Sequence, residues 1–271
     1  MRKIILCVFF IPAISIDSVN GQHEIWKTGT ASTLEQHHLV VGQLQPSRYG
    51  ITDRFEISGQ VGGFIFFPNV TAKYRWYGYQ EELNISSRHT FYYPTPGLRW
   101  SDKVPIFPGV HDHIPHIMAF RNELLRTDFF RTCRCCPFTY ALTYKLGIHQ
   151  AKKFGDNPVP LINKPLYFLR MNMLNGHYLW NAGIDIDGNL TSRSLFSFEL
   201  DYYRIFNLGI HTIEQESYFI YHIRKDVRFF LGYRLSWNPN ILQQSFQIVP
   251  LYDIGFHWYF RPPPENGFEW N

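Results

Sequence analysis

The chain has 271 residues, of which 45% are hydrophobic, 18% aromatic and 18% charged, against a usual charged share of about 25%. So many aromatics at a formal net charge of +4 exclude intrinsic disorder, and the charge is too small to argue for a nucleic-acid partner. Only Met1 to Ile16 comes near the roughly 20 apolar residues of a membrane helix, which excludes a helical membrane protein.

Met1 to Gly21 reads as a secretory signal peptide. Arg2 and Lys3 supply the positive start, and Ile4 to Ile16 is an apolar stretch too short to span a bilayer. Asp17, Ser18 and Asn20 then turn polar, and cleavage is expected between the small Gly21 and Gln22. The mature chain is then destined for a compartment beyond the inner membrane. It divides into a body over residues 22–260 and a short tail over 261–271.

Period two dominates that body, as expected of strands that are wet on one side and apolar on the other. Tyr140, Leu142, Tyr144, Leu146 and Ile148 alternate with Thr139, Ala141, Thr143, Lys145, Gly147 and His149. Phe196, Phe198, Leu200 and Tyr202 alternate with Ser197, Glu199, Asp201 and Tyr203, and Phe229 to Trp237 repeats the pattern against Arg228 to Ser236. Turn signals such as Pro46-Ser47-Arg48, Gly50 to Asp53, Asn175-Gly176 and Asp187-Gly188-Asn189 separate the runs. The runs predict strands near 37–45, 53–61, 69–78, 85–93, 117–126, 138–150, 165–174, 177–187, 193–205, 208–222, 226–237 and 246–260. That is about twelve, with ten or fourteen as alternatives, and no long helical period competes. An even number suits an antiparallel barrel with both termini on one side. This count puts the long stretch Pro94 to His116 on the terminal side, where an outer loop does not belong. A further strand within Ile25 to Thr33 would repair the conflict.

A soluble sandwich also alternates, so the identity of each face matters. The apolar face carries Trp76, Trp180, Trp237, Trp258 and Phe260 near strand ends, as the aromatic girdles of a membrane barrel do. The opposite face carries Arg54, Lys73, Arg75, Arg121, Glu123, Lys145, Arg170, Asp185, Glu199, Asp201, Arg228 and Arg234. A wet lumen tolerates such a mixture. Expected fold class: all-β, an antiparallel transmembrane β-barrel of about 12 strands.

Two resemblances support this. Asp253-Ile254-Gly255-Phe256-His257-Trp258-Tyr259-Phe260 resembles the β-signal in the last strand of bacterial outer-membrane barrels. It implies the barrel-assembly machinery as a partner during insertion, read through Asp253, Gly255, Trp258 and Phe260. Thr28 to Leu34, Gln45 to Glu56, Ser87 to Pro96 and His113 to His116 resemble outer-membrane β-barrels of Bacteroidetes-type bacteria. That resemblance covers roughly the first half of the mature chain. It implies a fold and a location, the cell outer membrane, but no catalytic residue.

Two clusters could carry chemistry. His111, Asp112, His113 and His116 lie in a Pro-rich loop, and imidazoles so placed can hold Zn²⁺ or Cu²⁺. Cys133, Cys135 and Cys136 form C-x-C-C, which suits a soft metal, a disulfide or an incidental strand tip. Of the residue types that nucleophilic catalysis needs, Ser86, Ser87, Ser197, His149, His211 and His257 are present, but none sits in a known signature and no G-x-S-x-G elbow is present. No phosphate-binding loop stands between a strand and a helix, and no cofactor is expected.

The preferred reading is a porin-like channel or transporter for small solutes in contact with outer-membrane lipid. Twelve strands enclose a lumen wider than the side-chain-filled eight-stranded case. Two readings stay open beside it: a lipid-modifying enzyme, and a structural or surface-binding barrel with a plugged lumen.

Overall fold

The structure, a computed structural model, describes residues 29–260 apart from 44, 63, 66, 79–82, 103–113, 134–135, 158–172, 176, 192, 225 and 238–245. Twelve strands run in chain order: β1 (His38–Gly42), β2 (Ser47–Thr52), β3 (Phe55–Gly59), β4 (Asn69–Tyr77), β5 (Asn84–Tyr92), β6 (His116–Cys133), β7 (Cys136–Phe154), β8 (Tyr178–Asn189), β9 (Ser194–Ile205), β10 (His211–His222), β11 (Val227–Trp237) and β12 (Phe246–Tyr259). Among the described residues one helix, α1 (Thr95–Asp102), lies between β5 and β6. Each strand pairs antiparallel with its sequence neighbour, and β1 pairs with β12 to close the barrel. The closing seam uses the residues of the terminal motif: Leu39 opposes Trp258, Val41 opposes Phe256, and Gly42 opposes Gly255.

The strand count agrees with the expectation, but its members differ. β2 falls where Pro46-Ser47-Arg48 and Gly50 to Asp53 read as turns. Pro46 in fact precedes the strand, and the ladder tolerates Gly50 with an irregularity between Gly50 and Thr52. No strand forms over Gly29 to Thr33, and the rest of the further strand expected within Ile25 to Thr33 lies outside the described residues. The strand expected at 165–174 lies mostly outside the described residues, and 173–175 form a 3₁₀ turn. Helix α1 is also a correction, because eight residues opening on Thr95-Pro96 are too few to give a visible helical period. Proline suits a first helical turn, which has no intrahelical use for its N–H.

Placing β2 correctly removes the topological conflict. The links 43–46, 60–68, 93–115, 155–177, 206–210 and 238–245 now lie at one end. The tighter links 53–54, 78–83, 134–135, 190–193 and 223–226 lie at the other, with the entry to β1 and the exit from β12. Short periplasmic turns and longer extracellular loops are the rule for outer-membrane barrels. The stretch 93–115 therefore belongs to the long-loop end.

The two faces are inverted relative to a soluble protein. Leu124, Leu146, Leu231 and Ile248 point outward and are each more than half exposed. Glu123, Lys145, Asp185 and Arg228 alternate with such residues, point inward, and are each at most 3% exposed. In water this would leave a large apolar surface bare while burying charge, both unfavourable. In a bilayer the same wall meets acyl chains. The aromatics form two belts: Trp76, Trp258 and Phe260 near the short-turn rim, and Trp180 and Trp237 near the long-loop rim.

Candidate functional site

The inner wall is a set of ion pairs joining neighbouring strands. On β2 and β3, Arg48 grips Glu56 with two parallel bonds, Nε to Oε1 at 2.7 Å and Nη2 to Oε2 at 2.6 Å. On β5 and β6, Arg88 Nε reaches Glu123 Oε2 at 2.7 Å, and Arg121 pairs with the same carboxylate. Asn181 Nδ2 donates to Glu123 Oε1 at 3.3 Å while its Oδ1 lies 2.9 Å from His149 Nε2. On β10 and β11, Arg234 Nε donates to Glu216 Oε1 at 2.7 Å, and Tyr218 OH joins it at 2.8 Å.

Asp185, Glu199 and Asp201 bring three carboxylates within 4.8 Å of one another, a geometry that suits a cation. The ammonium of Lys145 already sits among them, 2.8 Å from both Asp185 and Asp201 and paired with Glu199. Gly183 makes this possible, because a Cβ there would lie 1.8 Å from Asp201 Oδ1 and 2.8 Å from Lys145 Cε. Gly147 does the same one level away, where a Cβ would lie 2.3 Å from Asn181 Oδ1.

Segments pack against the inner wall toward both ends. At the short-turn end, Thr30 to Leu34 folds into the lumen ahead of β1, with all five residues buried. Lys73 Nζ donates to the carbonyls of Thr30 and Ser32 at 3.1 Å each, and Asn84 Nδ2 donates to Ser32 Oγ at 3.1 Å. Ala31 N donates to Thr127 Oγ1 at 2.7 Å, and Leu34 N to Glu56 Oε2 at 3.0 Å. Gly50 leaves room for this segment, since a Cβ there would lie 2.0 Å from the Glu35 carbonyl oxygen. At the long-loop end, Leu98 of α1 packs on Ile114, Ile117, Ala119, Ala151 and Leu174. Arg99 ties α1 to the Ile114 carbonyl through Nε at 3.0 Å and Nη2 at 2.9 Å.

The residues expected in the lumen sort as follows. Lys73, Arg75, Arg121, Glu123, Lys145, Asp185, Glu199, Asp201, Arg228 and Arg234 lie on strands and share the inner face. Arg54 does not: it stands exposed on the turn between β2 and β3, because β3 starts only at Phe55. Arg170 lies outside the described residues, as do His111 and His113. His116 opens β6, where Nδ1 hydrogen-bonds the Tyr93 hydroxyl and the rings stack at 6.1 Å. Cys133 and Cys136 oppose each other in the β6–β7 register, and Cys135 lies outside the described residues. Asp253 and Gly255 face inward on β12, where Asp253 accepts the backbone N–H of Gln43 and Gln45 at 3.0 and 2.6 Å. Trp258 and Phe260 face outward.

Sequence reasoning passed over Arg48, Arg88 and Glu216 as lumen charges, and took Thr30 to Leu34 only as part of a resemblance and of a possible further strand. It named Ser87 as a candidate nucleophile but passed over His89 and Asn122 beside it on the outer wall. There Phe55, Ala72, Tyr74, Trp76, Ser87 and His89 line a groove. Trp76 Nε1 donates to Ser87 Oγ at 2.9 Å, and His89 Nδ1 lies 2.8 Å from Asn122 Oδ1. Ser87 and His89 share one strand face at the (i, i+2) spacing, which sequence can show. That Asn122 stands opposite His89 follows only from the β5–β6 register.

No protein-family model matches the chain, and no curated protein does. Similar solved structures include outer-membrane expressed OmpT of Vibrio cholerae, at a TM-score of 0.39 and 10% identity. They also include in-vitro folded OmpT, an outer membrane protein of Vibrio cholerae, at a TM-score of 0.35 and 9% identity. In both cases the match covers 79% of this chain and 64% of the solved one, so the chain spans less than two thirds of their length.

Proposed function

We propose that this chain is exported through its Met1–Gly21 leader and works in the outer membrane of a Gram-negative cell as a solute-tight barrel. It holds a lipid-facing wall and a set of outer loops in place rather than passing small solutes. On this reading the assembly machinery recognises Asp253, Gly255, Trp258 and Phe260 on the closing strand. The observation that carries the reading is the filled lumen. Lys73, Arg48, Glu56, Lys145 and Asp185 are each at most 3% exposed, and Thr30 to Leu34 and α1 pack against the inner wall toward the two ends.

A porin-like channel for small solutes would need these groups wet. A gated version of it rests on one observation: Thr30 to Leu34 joins no strand ladder, so it can leave without breaking the wall. Planar-bilayer recording of the refolded protein separates the readings. The solute-tight barrel gives no conductance steps as wild type. Steady porin-like steps from the wild type would overturn it, with the ion preference altered by Arg228→Glu. Steps that appear only in Lys73→Met/Asn84→Ala would favour the gated channel.

A further inference from the structure

The polar group on the outer wall has the parts of an acyl-transfer site. Ser87 and His89 project from the same face of β5, two residues or roughly 7 Å apart along the strand. His89 is exposed and its Nδ1 is bonded to Asn122 Oδ1 at 2.8 Å. An amide oxygen can only accept, so Nδ1 carries the proton and Nε2 is left as a lone-pair base. Ser87 Oγ receives the indole N–H of Trp76 at 2.9 Å. That bond uses an oxygen lone pair and leaves the hydroxyl proton unused, with the imidazole two residues along on the same face. A nucleophile, a base and a third group that orients the base form the general pattern of activated-serine chemistry.

The surroundings define the substrate. Phe55, Tyr74 and Trp76 flank Ser87 in the groove, Leu124 opposes it on β6, and Phe91 and Phe120 pack at 5.2 Å beside His89 and Asn122. All face the bilayer. Trp76 belongs to the aromatic belt of the short-turn rim, the level at which lipid ester groups meet water.

We propose that Ser87, His89 and Asn122 form a catalytic site that hydrolyses an acyl ester of a glycerophospholipid at the barrel wall. Ser87 Oγ bonds to the ester carbonyl carbon and its proton passes to His89 Nε2. The bond from that carbon to the glycerol oxygen breaks, and His89 returns the proton to the leaving oxygen, which departs as lysophospholipid. Water then attacks the acyl-serine, gives a proton through His89 to Ser87 Oγ, and releases the fatty acid. Asn122 acts as a positioning residue through His89. The Trp76 N–H, already beside Oγ, is within reach of the oxyanion that forms on the attacked carbonyl.

The test uses the full-length barrel folded in detergent, with folding checked by heat-modifiable gel migration. The probes are a fluorophosphonate, with the labelled residue identified by mass spectrometry, and phosphatidylethanolamine mixed micelles, with fatty-acid release measured. The expected result is a label on Ser87 and turnover that falls about 10²–10⁴-fold in Ser87→Ala and His89→Phe. In Asn122→Ala turnover falls, while Asn122→Asp restores it in part. Ser217→Ala is the control, an outward serine whose Oγ accepts from Gln215 instead. Folded wild type that neither takes the label nor releases fatty acid overturns the proposal. So does turnover that persists in Ser87→Ala. Conductance is measured separately, so failure here leaves the solute-tight reading standing, and the reverse also holds.

Discussion

Replacing Lys145 by Met removes the one ammonium seated among Asp185, Glu199 and Asp201 and tests whether the lumen is dry. At 2.8 Å and an effective dielectric of about 20, each of the contacts to Asp185 and Asp201 is worth about 6 kcal/mol in Coulomb energy. Most of this offsets the cost of taking the charges out of water, several kcal/mol per ion. Deletion of one partner is different, because the survivors stay buried. With their oxygens within 4.8 Å, each unshielded carboxylate pair repels by about 3 kcal/mol or more at that dielectric. A net loss of about 3–5 kcal/mol follows, the range for breaking a buried pair. It corresponds to about two to four powers of ten in the unfolding equilibrium. The assay is urea unfolding in detergent or lipid, followed by tryptophan fluorescence and heat-modifiable migration. Adding Asp185→Asn and Asp201→Asn to Lys145→Met should recover most of the loss, since the repulsion goes with the charges. If Lys145→Met alone costs less than about 1 kcal/mol, as exposed pairs do, water screens the cluster. The lumen is then open and the solute-tight reading fails.

Three further outcomes are expected. Leu146→Arg puts a charge on the outward belt and should cost about 2–4 kcal/mol in the same titration, with a visible fall in the folded band. Gly183→Ala drives a methyl into Asp201 Oδ1 and Lys145 Cε, and should cost about 1–3 kcal/mol as overpacking does. Thr127→Val removes the acceptor for Ala31 N and the partner of Thr143 Oγ1, 2.8 Å away. It should speed protease cutting within Thr30 to Leu34 while leaving the barrel band intact, because that segment contributes no strand.

The alternation of Tyr140 to His149 or Phe229 to Trp237 was legible because a strand between lipid and a polar interior has to change chemistry at every residue. Nothing else in the chain imposes that rule so strictly. Where the rule relaxes, the reading fails. β2 carries Arg48 and Gly50 inward against Tyr49 and Ile51 outward, a run too short and too glycine-rich to register beside Pro46. Its glycine is there for the Glu35 backbone, a contact between segments 15 residues apart. Helix α1 escaped for the related reason that Leu98 is buried by loop and barrel residues, not by a periodic helix face.

Inner charges were legible as a face but not as pairs. Lys145 lies on β7 and its three acidic partners on β8 and β9. Only the ladder, with Asp185 opposite Glu199 and Asp201 opposite Gly183, shows that one ammonium serves all three. The same ladder is what supports the proposed reading of these charges as a brace. Charges that alternate along single strands look like the lining of a channel, because sequence shows each one alone. Once the register sets opposite signs within bonding distance, and glycines open the space for them to meet, the charges are seen to hold one another across strands. On the proposed reading the inner face serves closure, and on the outer face β5 and β6 place a serine, a histidine and an amide side by side.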